Sequence, residues 1–141
     1  RTTYGFTQYR NIEGWWDNVY DWMDGCYYNS NGLNVIKNPA QFSDTANGTL
    51  IGSMPSSGYP NDLAIPTQSG FEWALRPVST GGSTTTYVPD YWVFDGSNPC
   101  LFHGGSYSQV LSYGPFYVSY SGTSNQNSSI GCRLQERPPK A

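Results

Sequence analysis

Residues 103–134 read HGGSYSQVLSYGPFYVSYSGTSNQNSSIGCRL, and how this stretch is read decides the fold. It opens on Gly104-Gly105-Ser106-Tyr107 and closes on Ile130-Gly131-Cys132-Arg133-Leu134, two pieces with the look of framework strands. Between them Ser, Tyr, Asn, Gln, Gly and Thr dominate. Rigid binding surfaces use that alphabet, because Tyr supplies broad amphipathic contact area and Ser, Asn and Gly supply adaptable hydrogen bonding. The reading is a framework that presents a Tyr/Ser surface to a target, with Tyr107, Gln109, Tyr113, Tyr117, Ser119, Tyr120, Asn125 and Asn127 as the expected contacts. Strand alternation puts Phe116, Val118 and Tyr120 on one face and Tyr117 and Ser119 on the other, so one set is expected to point outward. The competing reading makes Tyr107 and Tyr117 ordinary sheet residues with one face buried.

The rest of the chain sets bounds. At 141 residues it fits one domain able to bury a usable core. Arg1 in place of a starting Met predicts a piece of a longer protein. Only 12% of residues are charged against 16% aromatic, the reverse of a disordered composition. Seven Lys and Arg spread along a chain of net charge -3 leave no basic patch, so nucleic-acid binding is not expected. No apolar run approaches the roughly 18 residues of a spanning helix, so no membrane insertion is expected. Cys26, Cys100 and Cys132 are an odd count without CxxC spacing, which predicts free thiols and leaves a Cys100–Cys132 bridge open. The sequons at Asn47 and Asn127 matter only in a eukaryotic secretory setting.

In chain order, Thr2–Tyr9 reads as a strand and Arg10–Gly14 as a turn. Trp15–Asp24 has helical periodicity, with Trp15, Val19 and Trp22 at i, i+4, i+7 and Trp16, Tyr20 and Met23 beside them. Asp17, Asp21 and Asp24 then form a one-sided row, read as a solvated helix face rather than a cation site. Cys26–Ile36 reads as a hairpin turning at Ser30-Asn31-Gly32. Asn38–Gly82 is rich in Pro, Gly and Ser and is expected to be an insertion, pinned by Leu50-Ile51, Leu63-Ala64-Ile65 and Phe71–Leu75. Thr84–Phe94, Leu101–Ser108, Phe116–Ser121 and Ile130–Gln135 are expected strands. The predicted organisation is a single domain over 1–137, with the insertion at about 38–82 and a tail at 138–141.

Three motifs, in order, resemble one superfamily. Asn18-Val19-Tyr20-Asp21-Trp22 resembles its Asn-Val-Trp-Glu-Trp motif, His103-Gly104-Gly105-Ser106-Tyr107 its Arg-Gly-Gly-Ser-Trp strand, and Ile130-Gly131-Cys132-Arg133-Leu134 its terminal Ile-Gly-Phe-Arg-Leu strand. These are motifs of the formylglycine-generating-enzyme type of C-type-lectin-like domain, a fold that also occurs in phage tail and fibre proteins and in retroelement-diversified proteins. Tyr9-Arg10-Asn11-Ile12-Glu13, with Asp24-Gly25 after the helix, resembles the phage-virion branch. The resemblance covers about a third of the chain. It implies an α+β, C-type-lectin-like fold: a twisted antiparallel sheet with a packed short helix and long loops. In it Arg133 is expected to pair with a carboxylate such as Asp21.

The departures from the family matter as much. The enzyme branch carries its catalytic cysteines just after Gly-Gly-Ser, and Ser108–Tyr113 contains none, so its copper-dependent oxidation lacks thiolate ligands. The Glu-Pro-Asn, Gln-Pro-Asp and Trp-Asn-Asp motifs of calcium lectins are absent. His103, the one histidine, is expected to be structural. Gly104-Gly105 lacks the Walker or GxGxxG context of a phosphate loop. The expectation is therefore a non-enzymatic recognition domain without cofactor or metal. Its place is a virion surface, on a tail or head fibre, where it binds a host-surface protein or glycan. The alternative is a decoration or assembly module that contacts other virion subunits. A homotrimer through an N-terminal part outside this sequence is left open. Asn codons of the AAY type become Ser or Tyr when their first or second base is randomised, and Ser and Tyr crowd Ser106–Ser129. The segment is either such a variable region or a Tyr/Ser-rich surface strand.

Overall fold

The computed structural model describes residues 8–9, 12–13, 19–97, 99–106 and 113–131. Its strands are β1 (Gln8–Tyr9), β2 (Ile12–Glu13), β3 (Tyr20–Asn29), β4 (Gly32–Val35), β5 (Thr49–Gly52), β6 (Pro60–Ala64), β7 (Arg76–Thr80), β8 (Cys100–His103), β9 (Val118–Ser121) and β10 (Ile130–Gly131). Among the described residues the helical structure is one 3-10 turn, Pro39–Gln41. The main sheet runs β5-β4-β3-β8-β9, antiparallel throughout, and β10 lies parallel to the start of β3. Strands β1 and β2 pair with each other, and β6 and β7 form a separate antiparallel ribbon.

Strand β3 is the centre of the sheet and corrects the helix expected over Trp15–Asp24. Tyr20–Asp24 are extended, while Trp15–Asn18 lie outside the described residues. The cause is coverage on both faces. A central strand with no solvent face carries bulky residues at successive positions, and over a short run this imitates a helical stripe. Tyr and Trp then favour the pleated surface. Asp21 is accordingly buried rather than part of a solvated row, and Asp24 alone of the described pair is exposed. Gly25 sits at φ +80° where the β3–β8 register shifts between Met23 and Tyr27, and a Cβ there would meet the Phe42 ring.

The expected hairpin is present. Cys26↔Val35 to Asn29↔Gly32 pair across the Ser30-Asn31 turn, and Asn29 Oδ1 accepts the N–H of Asn31 at 2.9 Å and of Gly32 at 3.2 Å. The Asn38–Gly82 stretch holds three strands rather than loops alone, and β5 joins the main sheet. Of its apolar pieces, Ile51 and Phe71 enter the core, whereas Leu50, Leu63, Ile65, Trp73 and Leu75 stay exposed. Arg76 ties the ribbon to the sheet, donating from Nε to the Ile51 carbonyl at 3.2 Å and from Nη1 to the Ser53 carbonyl at 2.6 Å.

Other expected strands are shorter or absent. Over Thr84–Phe94 the chain forms turns, and only Trp92 makes isolated bridges, to Gly58 and Val118. Here Thr86 Oγ1 donates to the Ser83 carbonyl at 2.7 Å and accepts the Ser83 N–H at 3.0 Å. Such local side-chain bonds offer the backbone an alternative to a ladder. Within Leu101–Ser108 the ladder ends at His103, and Gly104 follows at φ +78°. Within Phe116–Ser121 the strand starts at Val118, and Ile130–Gly131 begins the last one. In the expected Arg10–Gly14 turn, Ile12–Glu13 pairs back on β1. Residues 2–7, 107–108 and 132–135, and the tail at 138–141, lie outside the described residues.

The core has two parts. Tyr28, Leu33, Val35, Ile51, Phe71, Leu101 and Val118 form one cluster, and Tyr20, Phe102 and Tyr117 the other. Leu101 and Phe102 are consecutive on β8 and belong to different clusters, so the clusters cover opposite faces of the sheet. In the second, Tyr20 and Phe102 rings lie 4.7 Å apart and Trp22 meets Phe102 edge-on at 5.9 Å.

Candidate functional site

The three motifs read from the sequence meet on β3. Asp21 is level with His103 on β8 across one edge and with Gly131 on β10 across the other. The Tyr20 N–H donates to the Ser129 carbonyl at 2.7 Å, closing the junction with β10. Arg133 and Cys132 lie outside the described residues, while Cys26 and Cys100 are free thiols.

The expected contact residues divide. Tyr117 and Ser119 are buried, at 6% and 9% exposure, and Val118 on the other face is buried at 5%. Alternation therefore does not separate an outward from an inward set. Strand β9 is flanked by β8 and by the Trp92 bridge, and both its faces are covered. Tyr113 is half-buried with its ring 4.4 Å from that of Tyr117, and Tyr120 is half-buried against the first cluster. Asn125 and Asn127 are exposed. Asn125 Nδ2 donates to Ser121 Oγ at 2.6 Å, and Asn127 Oδ1 accepts the Ser129 N–H at 2.9 Å. Tyr107 and Gln109 lie outside the described residues.

A feature the sequence did not disclose is a cleft of about 1050 Å³ over the first cluster. Its floor is the sheet face carrying Tyr28, Leu33, Val35, Leu101 and Val118. Its rim draws on remote segments. Among the described residues eight large hydrophobic side chains are exposed, and six of them line this cleft: Phe42, Leu63, Trp73, Leu75, Tyr87 and Phe116. Exposed hydrophobics gathered around one concavity, rather than scattered singly, make this cleft the candidate site. For Phe42, Leu63, Trp73 and Leu75 the available signal was bulky apolar residues stranded in a Pro/Gly/Ser-rich stretch without periodicity.

Polar groups in the cleft are few. Asp24 is exposed, Asp90 is buried, and Lys37 holds its ammonium 4.0 Å from the Phe71 ring centroid and donates to the Ser69 carbonyl at 3.4 Å. Burial, helped by Asp24, pushes the Cys26 thiol up to about 12, so it stays protonated and unreactive at neutral pH. Burial raises Cys100 to about 11, with Asp44 adding to the effect. The Tyr28 hydroxyl and the Trp92 indole N–H, both on cleft residues, have no hydrogen-bond partner among the described residues. No group of three or more His, Cys, Asp and Glu side chains positioned to hold a metal occurs among the described residues. What the arrangement offers is apolar contact area with a few fixed donors and carboxylates.

No family model, no curated protein and no solved structure matches this chain.

Proposed function

We propose that the chain is a non-enzymatic recognition domain of a virion surface protein, on a tail or head fibre, and that it binds a host-surface protein. The observation that carries the reading is the apolar cleft with its rim of Phe42, Trp73, Tyr87 and Phe116. Aromatic anchors around a concave apolar floor are the features that dominate protein–protein affinity. A glycan, whose surface is mostly hydroxyl, would leave so apolar a lining poorly matched, so a protein partner is the better fit than a sugar. A C-type-lectin-like fold is part of the same proposal. It is supported by the motif resemblance and by the junction of the three motifs at Asp21.

The second reading, an assembly module contacting other virion subunits, draws on the same apolar rim, since subunit interfaces are similarly apolar. The test is competition. Cells are incubated with the purified chain and then challenged with particles that carry it. Under the recognition reading the chain blocks adsorption, and Phe116→Ser with Trp73→Ser abolishes the block. If adsorption is unaffected and the same double variant instead prevents particle assembly, the assembly reading replaces it.

A further inference from the structure

Away from the cleft, the chain carries a chemically labile pair twice, as Asn31-Gly32 and Asn47-Gly48. Asn is a thermolabile residue, and it is most labile before Gly. There the next backbone nitrogen, with no side chain to shield it, can attack the Asn side-chain carbonyl carbon. The reaction requires that nitrogen to lose its proton and the Asn backbone to turn toward ring closure. A hydrogen bond on the N–H, or a strand ladder around the pair, opposes both, so a protected pair reacts only after local opening.

The fold treats the two pairs differently. Asn31 is exposed, but Gly32 is buried at the start of β4 and its N–H is held by Asn29 Oδ1 at 3.2 Å. Gly32 is also paired with Asn29 in the β3–β4 ladder. Asn47 is exposed in an irregular stretch before β5, at φ +65°. Its Nδ2 donates to the Gln41 carbonyl at 3.1 Å, an exposed bond that water can replace. No acceptor for the Gly48 N–H is present among the described residues. Gly48 itself is fixed by packing, since a Cβ there would lie 2.7 Å from the Tyr27 ring and 2.8 Å from Asn34 Cβ. The fold therefore demands glycine after Asn47 and leaves its nitrogen unguarded.

We propose that Asn47 is a site of spontaneous modification in the folded chain, from which Asn31 is shielded. The Gly48 nitrogen gives up its proton and bonds to the Asn47 side-chain carbonyl carbon. The bond from that carbon to the amide nitrogen breaks, and the amide leaves with the proton as ammonia. The resulting succinimide ring takes up water and opens on either side. One opening gives aspartate at position 47. The other gives isoaspartate, in which the main chain runs through the former side chain and gains a methylene. Water is the only co-reactant. Either product places a new carboxylate close in sequence to Asp44. The isoaspartate lengthens the chain just before Thr49, which pairs with Val35, so the modification bears on the entry to an edge strand of the main sheet.

The test is to hold the purified chain in mildly alkaline buffer at body temperature and follow its peptides by mass spectrometry. Expected at Asn47 is the mass gain of replacing an amide by a carboxyl, with oxygen taken up from isotopically heavy water. The isoaspartyl fraction should accept label from isoaspartyl methyltransferase. Asn31 should convert about tenfold more slowly, the factor that one hydrogen bond supplies. In urea the protection is lost, and the two sites should convert at similar rates. Asn29→Ala takes away the acceptor of the Gly32 N–H and should speed Asn31 several-fold while leaving Asn47 unchanged. Asn47→Gly suits the left-handed backbone and should abolish the mass gain there. An Asn47 that stays intact in the folded chain, an Asn31 that converts as fast, or a rate difference that survives urea would each overturn the proposal.

Discussion

Asp90 accepts the backbone N–H of Phe116 through Oδ2 at 2.9 Å, and this bond sets where the Phe116 ring stands. The carboxylate also accepts from the Gly114 backbone, and the Tyr117 N–H closes the turn on the Gly114 carbonyl at 3.1 Å. A Cβ at position 114 would run into the Asp90 carboxylate, so the turn and its acceptor are fitted to each other. One buried side chain thus holds a rim residue of the cleft from a segment remote in sequence.

Asp90→Ala is expected to destabilise the chain by about 1–2 kcal/mol, because it takes the acceptor from two backbone donors in a part-buried turn. Urea unfolding of both proteins measures it. A difference near zero would show that the turn holds itself.

The same group sets a pH dependence. Burial raises the Asp90 carboxyl above its ordinary value of 3.8, against the pull of its two backbone donors. A raised value means that the folded chain holds the proton more tightly than the unfolded one. The contribution is therefore fully present below the unfolded value and is lost as pH rises through the folded value. Asp90→Asn removes this titration. The stability of wild type relative to Asp90→Asn should be highest in acid and fall as pH rises through the raised folded value, as read from urea midpoints at a series of pH values. A difference that grows toward neutral pH would contradict the sign.

Tyr28→Phe should leave stability unchanged or raise it by about 1 kcal/mol, because the substitution removes a buried hydroxyl without a described partner and keeps the ring that meets Phe94 edge-on at 5.0 Å. Thermal melts decide it. A loss of several degrees would mean that the hydroxyl has a structural bond.

Leu101 is 2% exposed in the central cluster, while Trp22 is only half-buried on the opposite face. Leu101→Ala should cost about 3–5 kcal/mol and Trp22→Ala less. The reverse order in denaturant unfolding would place the main core on the other face.

The legible parts of the fold were those fixed by local chemistry. Asn29 to Gly32 announce their turn because an Asn side chain can cap its own backbone. The start of β10 and most of β9 carry β-forming residues at the expected places. Tyr20–Asp24 misled because coverage on both faces is a tertiary property, invisible in a window of ten residues. Thr84–Thr86 misled because β-branched density concealed a hydroxyl-bonded turn. The cleft was illegible for a related reason: Asp24, Trp73, Tyr87 and Phe116 share no sequence pattern and meet only when the sheet is complete.

The rung at Asp21 also governs how the chain can reach its native state. Strand β3 is made well before its neighbours at this rung, His103 and Gly131. During synthesis the Cys26–Val35 hairpin can form early, whereas the first half of β3 must wait with its edges open until the final strands emerge. Aromatic residues fill that waiting strand, so an interrupted or truncated chain exposes a sticky, unpaired edge. Ending translation before residue 130 should therefore yield aggregate rather than a smaller soluble domain.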